Sequence, residues 1–329
     1  MSAFLVRNRL IVLAYVGMLV LLAVTTFFSP GFLSESNLRS SLVLAAFVGI
    51  VALGQTFVII GGGIDLSVPW VLNSAAVLMA VFCGGQSLPL LWAVPLLLAA
   101  GALIGFTNGV GVALFGVPAI IMTLAANVIL QGLIIIYTGG VPTPVAPDWI
   151  RYLSVGHVGP APVIGILWAA LAVFASFLLT KTAFGRYLYA VGSNATVAKF
   201  SGVPAARTTI LTYVLSGMTA ALAGMLLTGY SGQAYLGMGD PYLFTSIAAV
   251  AIGGASILGG SGHYVGTIAG ALVLTILAGL LPALGLSTGA LMVVYGGVIL
   301  LTVSFGSEAL VTAWRLVAHW RAGRSQERS

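Results

Sequence analysis

The sequence predicts an all-α polytopic membrane protein of about ten transmembrane helices. Apolar runs of bilayer length recur along the whole chain, charge is scarce, and the charge that exists is placed asymmetrically. Hydrophobic residues make up 60% of the chain and charged residues 5%, against roughly 25% charged in an ordinary soluble domain. Twelve basic and six acidic side chains cannot clothe a water-facing surface of this size. Lipid is therefore the solvent for most of the exterior. The formal charge of +6 invites a nucleic-acid reading. It fails once the charges are placed, because they sit in loops and tails beside apolar spans, as orientation signals do. No nucleic-acid partner is expected. Cys83 is the single cysteine, which excludes internal disulfides and any cysteine-rich metal site. Residues 1–329 read as one transmembrane domain.

The spans fall near 10–28, 41–60, 67–83, 88–114, 118–138, 163–180, 207–230, 244–258, 264–281 and 288–305. The first follows Arg7 and Arg9 and is as long as a bilayer span, roughly 20 residues. Phe27-Phe28-Ser29-Pro30 is a poor cleavage site, so this run reads as a retained helix and not a signal peptide. The fourth span is long enough to tilt or kink, and the eighth is short. With the amino terminus in the cytosol, ten spans return the carboxyl-terminal tail 306–329 there too. Every Lys and Arg except Arg39 and Arg151 is then cytosolic, a decisive bias under the positive-inside rule.

Two loops carry local signals. In the periplasmic loop 139–162 prolines stiffen the chain, and Trp149 and Tyr152 suit the headgroup level. It serves either as an interfacial cap or as a docking surface for an external partner. The cytosolic connector 182–206 is the longest polar and basic interruption, holding Arg186 and Lys199 with Lys181 and Arg207 at its edges. Helix-compatible residues between Gly185 and Gly202 predict one short amphipathic helix, broken at both ends. No nucleotide-binding Gly-x-x-x-x-Gly-Lys pattern exists, since Gly259 to Gly266 lacks the lysine. A pore with such a connector borrows its energy from a separate motor; the alternative is an inert basic loop held by lipid headgroups.

Polar groups inside spans are the remaining chemistry. Asp65 lies in Ile59–Val68, where three glycines break the helix; it either caps the third span or gates a pathway. Gln55, Asn73, Asn108, Asn127 and Gln131 are neutral, and Asn127 and Gln131 share a helix face. Singly each is an interhelical hydrogen bond; together they suggest a neutral polar lumen. Gly63-Ile64-Asp65 and Gly239-Asp240-Pro241 each place an Asp at an N-cap, with Pro241 in the first helical turn. These caps fall five spans apart on opposite faces, as an inverted five-plus-five duplication gives, though chance gives it as readily. Gly266 and Gly270 have the spacing of close helix contact. Gly259-Gly260-Ser261-Gly262 matches the GxSG of intramembrane serine proteases, but His157, His263 and His319 supply no base from a separate span. The chain is not expected to be an enzyme.

Four stretches in order resemble one family, the membrane permease subunits of bacterial ABC sugar importers, within the wider branched-chain amino-acid permease group. Gly62-Gly63-Ile64-Asp65-Leu66-Ser67-Val68 is similar to its GGIDLSVG signature, departing at Pro69. Gly105 to Gly109 with Val117 to Leu124 resembles the fourth-to-fifth span junction, with Ile120 where phenylalanine is commoner. Phe184, Gly185, Arg186, Tyr189, Ala190, Gly192, Asn194 and Gly202 match its ATPase-coupling segment, with Ser193 where glycine is frequent. Ile247 to Gly262 is similar to its glycine-rich eighth span. The resemblance implies a bacterial inner-membrane protein embedded in lipid. It implies a second permease subunit, identical or not, a cytosolic ATPase that binds the ATP, and a periplasmic solute-binding protein. This chain itself would hold no cofactor. A neutral sugar is the expected solute. An amino acid or a small signalling furanose is the runner-up, and a proton-coupled carrier using Asp65 or Asp240 is the reading from another class.

Overall fold

The computed structural model describes residues 9–141 and 145–306, and most of them are helical. The chain runs through α1 (Arg9–Phe28), α2 (Glu35–Ile60), α3 (Val68–Cys83), α4 (Leu90–Ala113), α5 (Ala119–Thr138), α6 (Asp148–Val155) and α7 (Val163–Lys181). It continues through α8 (Ala183–Ser193), α9 (Ala195–Phe200), α10 (Ala205–Ser231), α11 (Tyr242–Ile252), α12 (Tyr264–Ala283) and α13 (Thr288–Gly306). Among the described residues seven helices are long and apolar enough to cross a membrane: α1, α2, α4, α5, α7, α10 and α12. The short apolar α3 and α11 complete the interior.

Most boundaries match the hydropathy reading, and the departures have local causes. The second span starts at Glu35, not 41, because Glu35 pairs with Arg39 one turn on and carries polar residues into the helix. The eighth stops at Ile252, not 258, because Gly254 turns the chain at φ +84°. The loop 139–162 contains α6 and a two-residue hairpin, His157–Val158 against Ala161–Pro162. Trp149 and Tyr152 stack edge to face on the exposed side of α6, while Ile150 faces inward. Arg7, Arg315, Arg321, Arg324, Arg328 and His319 lie outside the described residues.

Loops alternate between two ends of the bundle. At one end the last residue of α2 meets the turn after α11, where Gly260 N–H donates to Ile60 C=O at 2.9 Å. Gly192 of α8 lies against the same pair, and Leu10 against Gly254. At the other end Ala146 N–H donates to Gly232 C=O at 2.8 Å, and Phe32 packs on Gly279. Arg9, Lys181, Arg186, Lys199 and Arg207 share the first end with α8 and α9, hereafter the connector end. Arg39 and Arg151 belong to the far end.

The centre is the pair α2 and α10, antiparallel, with Gly54 against Ser216 and Thr219, and Phe47 against Tyr230. α10 also packs along α3 and α4, while α2 packs along α11 and α12. Glycines let backbones touch. A Cβ on Gly217 would lie 2.0 Å from Gly101 C=O, and one on Gly105 would lie 2.1 Å from Tyr213 C=O. Gly266 and Gly270 do the same against Gly253 and Ala249 of α11. Close approach of this kind replaces the hydrophobic drive that lipid cannot supply.

Candidate functional site

The connector is two helices. Thr182 starts α8, its hydroxyl accepting from Gly185 N–H at 3.3 Å and donating to Leu178 C=O at 2.6 Å. Asn194 ends α8 and starts α9, its side chain accepting from Val197 N–H at 3.0 Å. An N-cap asparagine in extended backbone is what splits the segment. The expected break at Gly185 is therefore wrong: Gly185 is buried in the first turn of α8, where a Cβ would lie 2.2 Å from Leu179 C=O. Gly202 does end the second helix, at φ +81°.

The two faces of the connector differ. Inward, Leu188 is buried with Phe57 and Leu53 of α2 and Leu179 of α7, and Phe184 meets Phe57 edge to face. Tyr189 donates its hydroxyl to Gly262 C=O at 2.7 Å, and burial raises its pKa above the usual phenol value. Gly192 is the tightest joint: a Cβ there would lie 1.8 Å from Ile60 C=O and 2.7 Å from Gly260 N. Outward, Arg186, Tyr187, Val197, Lys199 and Phe200 are exposed, Phe200 at 87%. Ala190 is half-buried between the faces.

Above this joint the chain has no regular structure from Gly63 to Ser67 before α3 starts, and side chains satisfy the backbone it leaves open. Asp65 Oδ1 accepts from Ser67 N–H at 2.9 Å and from the Ser67 hydroxyl at 2.6 Å. Its Oδ2 accepts from the Ser216 hydroxyl of α10 at 2.7 Å. Asn108 Nδ2 of α4 donates to Ser67 Oγ at 2.9 Å. From α5, the Thr123 hydroxyl accepts from Leu66 N–H at 3.0 Å and Asn127 Oδ1 from Trp70 N–H at 3.3 Å. Asp65 is thus not the N-cap, a position Ser67 holds; it pins the lead-in to α10. Pro69 does sit in the first turn of α3.

The second lead-in meets the first. Gly239 lies against Pro69, with a Cβ position 2.0 Å from the Pro69 carbonyl. Asn73 Nδ2 donates to Tyr235 C=O at 2.9 Å. Asp240 is not an N-cap either, because Pro241 takes that position and not the first turn. Two short helices therefore begin against each other inside the bundle, each held by side chains of its neighbours.

Two clefts flank that meeting point. The connector cleft, about 1030 Å³, lies between the α4–α5 turn, Gly61 to Gly63, α9 and the start of α10. Tyr213 is buried along it, its hydroxyl without a hydrogen-bond partner. The far cleft, about 280 Å³, lies between α2, the end of α10, α11, α12 and α13. Leu44 and Val48 of α2 line the far cleft and Val58 lines the connector cleft, all on one helical stripe. Gln55 falls on that stripe between them, fully buried with both amide atoms unpaired. Gln131 is half-buried on α5, one turn beyond Asn127.

So Asp65, Asn108 and Asn127 converge on one node, Asn73 ties the two lead-ins together, and Gln55 stands apart. Ser67, Ser216, Thr123 and Tyr213 were missed from sequence, because hydroxyls in apolar spans usually bond back to their own helix. Ser261 is exposed at the connector end, and His263 uses Nδ1 to accept from Val265 N–H at 3.1 Å, so no Ser–His pair forms.

The family described as "Branched-chain amino acid transport system / permease component" matches residues 37–303. The chain belongs to this family. It is accordingly a transporter subunit, a multi-pass protein of the inner membrane. The ribose import permease protein RbsC of Haemophilus influenzae is 33% identical over 306 residues, 91% of this chain and 93% of that protein. RbsC of Escherichia coli K12 is 37% identical over 296 residues, 88% of this chain and 91% of that protein. The autoinducer 2 import system permease protein LsrC of Escherichia coli O157:H7 is 36% identical over 276 residues, covering 84% and 80%. No solved structure matches the chain.

Proposed function

We propose that this chain is the membrane-spanning subunit of an ABC importer that carries a neutral sugar into the cytoplasm. The connector end faces the cytosol, which leaves only Arg39 and Arg151 outside among the described basic residues and fits the positive-inside bias. A separate ATPase seats on α8 and α9 and binds the ATP, a periplasmic binding protein delivers solute at the far end, and a second permease subunit completes the pore. The carrying observation is the asymmetry of the connector. Its outer face offers Arg186, Tyr187 and Phe200 unpartnered, while its inner face is jammed through Gly192 against Ile60 and Gly260. A push on the outer face reaches the ends of α2 and α11 with no soft layer between, because packed backbone is poorly compressible.

Sugar is favoured over an amino acid because the relatives named for a solute import ribose or autoinducer 2, and because the far cleft has no charged lining residue. An amino-acid zwitterion would call for paired charges. The packing of α10 on α3 and α4, answered by α2 on α11 and α12, is the exchange an inverted duplication produces. The test is uptake into vesicles holding the permease, its ATPase and its binding protein. Replacing Arg186 and Phe200 by Ala should abolish sugar uptake and the stimulation of ATP hydrolysis while the bundle stays folded. Normal uptake by that double variant would remove the connector from the coupling path.

A further inference from the structure

We propose that the far cleft is a binding site for one neutral monosaccharide, where the solute is held on the outer side before it crosses. The proposal rests on the sugar-importer reading above. Its basis is a set of four phenols. Tyr230 of α10, Tyr235 of the loop after it, Tyr242 of α11 and Tyr295 of α13 all line the cleft.

Phenols suit a sugar in two ways. A ring face takes the C–H face of a pyranose or furanose, and the hydroxyl both donates and accepts, as a sugar hydroxyl does. Ser231, Thr245 and Thr275 add three more hydroxyls to the wall. No lining residue carries charge. The cleft's volume of about 280 Å³ lies just under the usual range for small-molecule pockets, roughly 300–1,000 Å³. That admits one sugar ring and excludes an oligosaccharide.

Position makes this a transport site and not a surface dimple. On α2 the cleft-lining Leu44 and Val48 lead, one helical stripe inward, to Gln55, and then to Val58 in the connector cleft. On α10 the corresponding stripe runs from Leu227 through Ser216, the partner of Asp65, to Tyr213. A solute leaving the tyrosines would next meet the unpaired amide of Gln55, and beyond it the unpaired hydroxyl of Tyr213.

The deciding experiment is protection from labelling. Tyr235→Cys is made in a Cys83→Ser background and reconstituted with its ATPase, and the external face is treated with a membrane-impermeant maleimide. The probe is whichever of ribose, xylose or galactose the wild-type transporter takes up, added without the binding protein. Labelling should slow about fivefold when the sugar reaches four times its Kd, since protection follows 1 + [L]/Kd. Should Tyr235→Cys not insert, Tyr230→Cys on the same rim is labelled instead. Unchanged labelling with a transported sugar overturns the site and leaves the permease reading standing. Labelling only by a lipid-soluble maleimide overturns it too, because the cleft is then an acyl-chain groove. If the wild type imports amino acids and no sugar, the solute reading falls first and this site with it.

Discussion

Single residues carry more of this protein than their types advertise. Ser216 is the clearest, an unremarkable hydroxyl in a long helix that supplies the donor to Asp65 Oδ2 across 151 positions of sequence. Ser216→Ala leaves that buried oxygen unpaired, which should cost about 1–3 kcal/mol, read as a lower melting temperature in detergent. Ser40→Ala, at an exposed site, should change little. Gly192 acts by having no side chain. Gly192→Ala puts a methyl 1.8 Å from Ile60 C=O, so α8 must lift from its seat. Sugar uptake should fall at least tenfold, about 1.4 kcal/mol or more of lost coupling, with helix content unchanged by circular dichroism. His263 titrates. Burial lowers its pKa from the ordinary 6.5, and its Nδ1 accepts from Val265 N–H, so the fold holds the neutral ring. The unfolded chain then binds the proton more readily, and this contribution is complete above the ordinary value and is lost as pH falls through it. Between about pH 7.5 and 5.5 the wild type should lose thermal stability that His263→Asn, whose cap does not titrate, retains.

Among the elements, the broken helices and the connector decide the behaviour. α3 begins where hydrophobic patterning predicts, yet what holds its first turn comes from α4, α5 and α10. Removing two of those supports together, in Thr123→Ala with Asn127→Ala, should loosen α3 without unfolding the bundle. Faster hydrogen exchange confined to residues 64–72 would report it, and exchange unchanged there would mean water already satisfies these groups. The connector was expected as one helix and is two, because Asn194 competes for the backbone of its own neighbours. The consequence is a division of labour: α8 carries the seat on α2 through Gly192, and α9 carries the exposed Phe200 of the outward face.

At the scale of the whole molecule the two clefts lie on one seam, between α2 and α10, and open toward opposite ends. Between them stand the two lead-ins and Gln55, so closure of one side and opening of the other needs movement only where helices are already interrupted. A carboxylate serving as proton carrier would need a free path, whereas Asp65 is engaged by three donors. Uptake should therefore continue when a protonophore collapses the proton gradient and ATP is kept constant. Its arrest would favour the secondary-transporter mechanism. Lys199, exposed on α9, should react with an impermeant amine reagent only from the cytosolic side.

Hydropathy and charge alone specify the class, the spans and the location of the connector, because lipid leaves a chain almost no freedom in where apolar residues and arginines go. They also mark Asp65, Asn108 and Asn127 as unusual, since polar groups are costly in a span. That these three share one node, that Gly192 is a joint, and that four scattered tyrosines face one cavity are facts of packing. Each depends on which side of one helix meets which side of another, tens of positions or more away in the chain. Local periodicity records the side but never the partner.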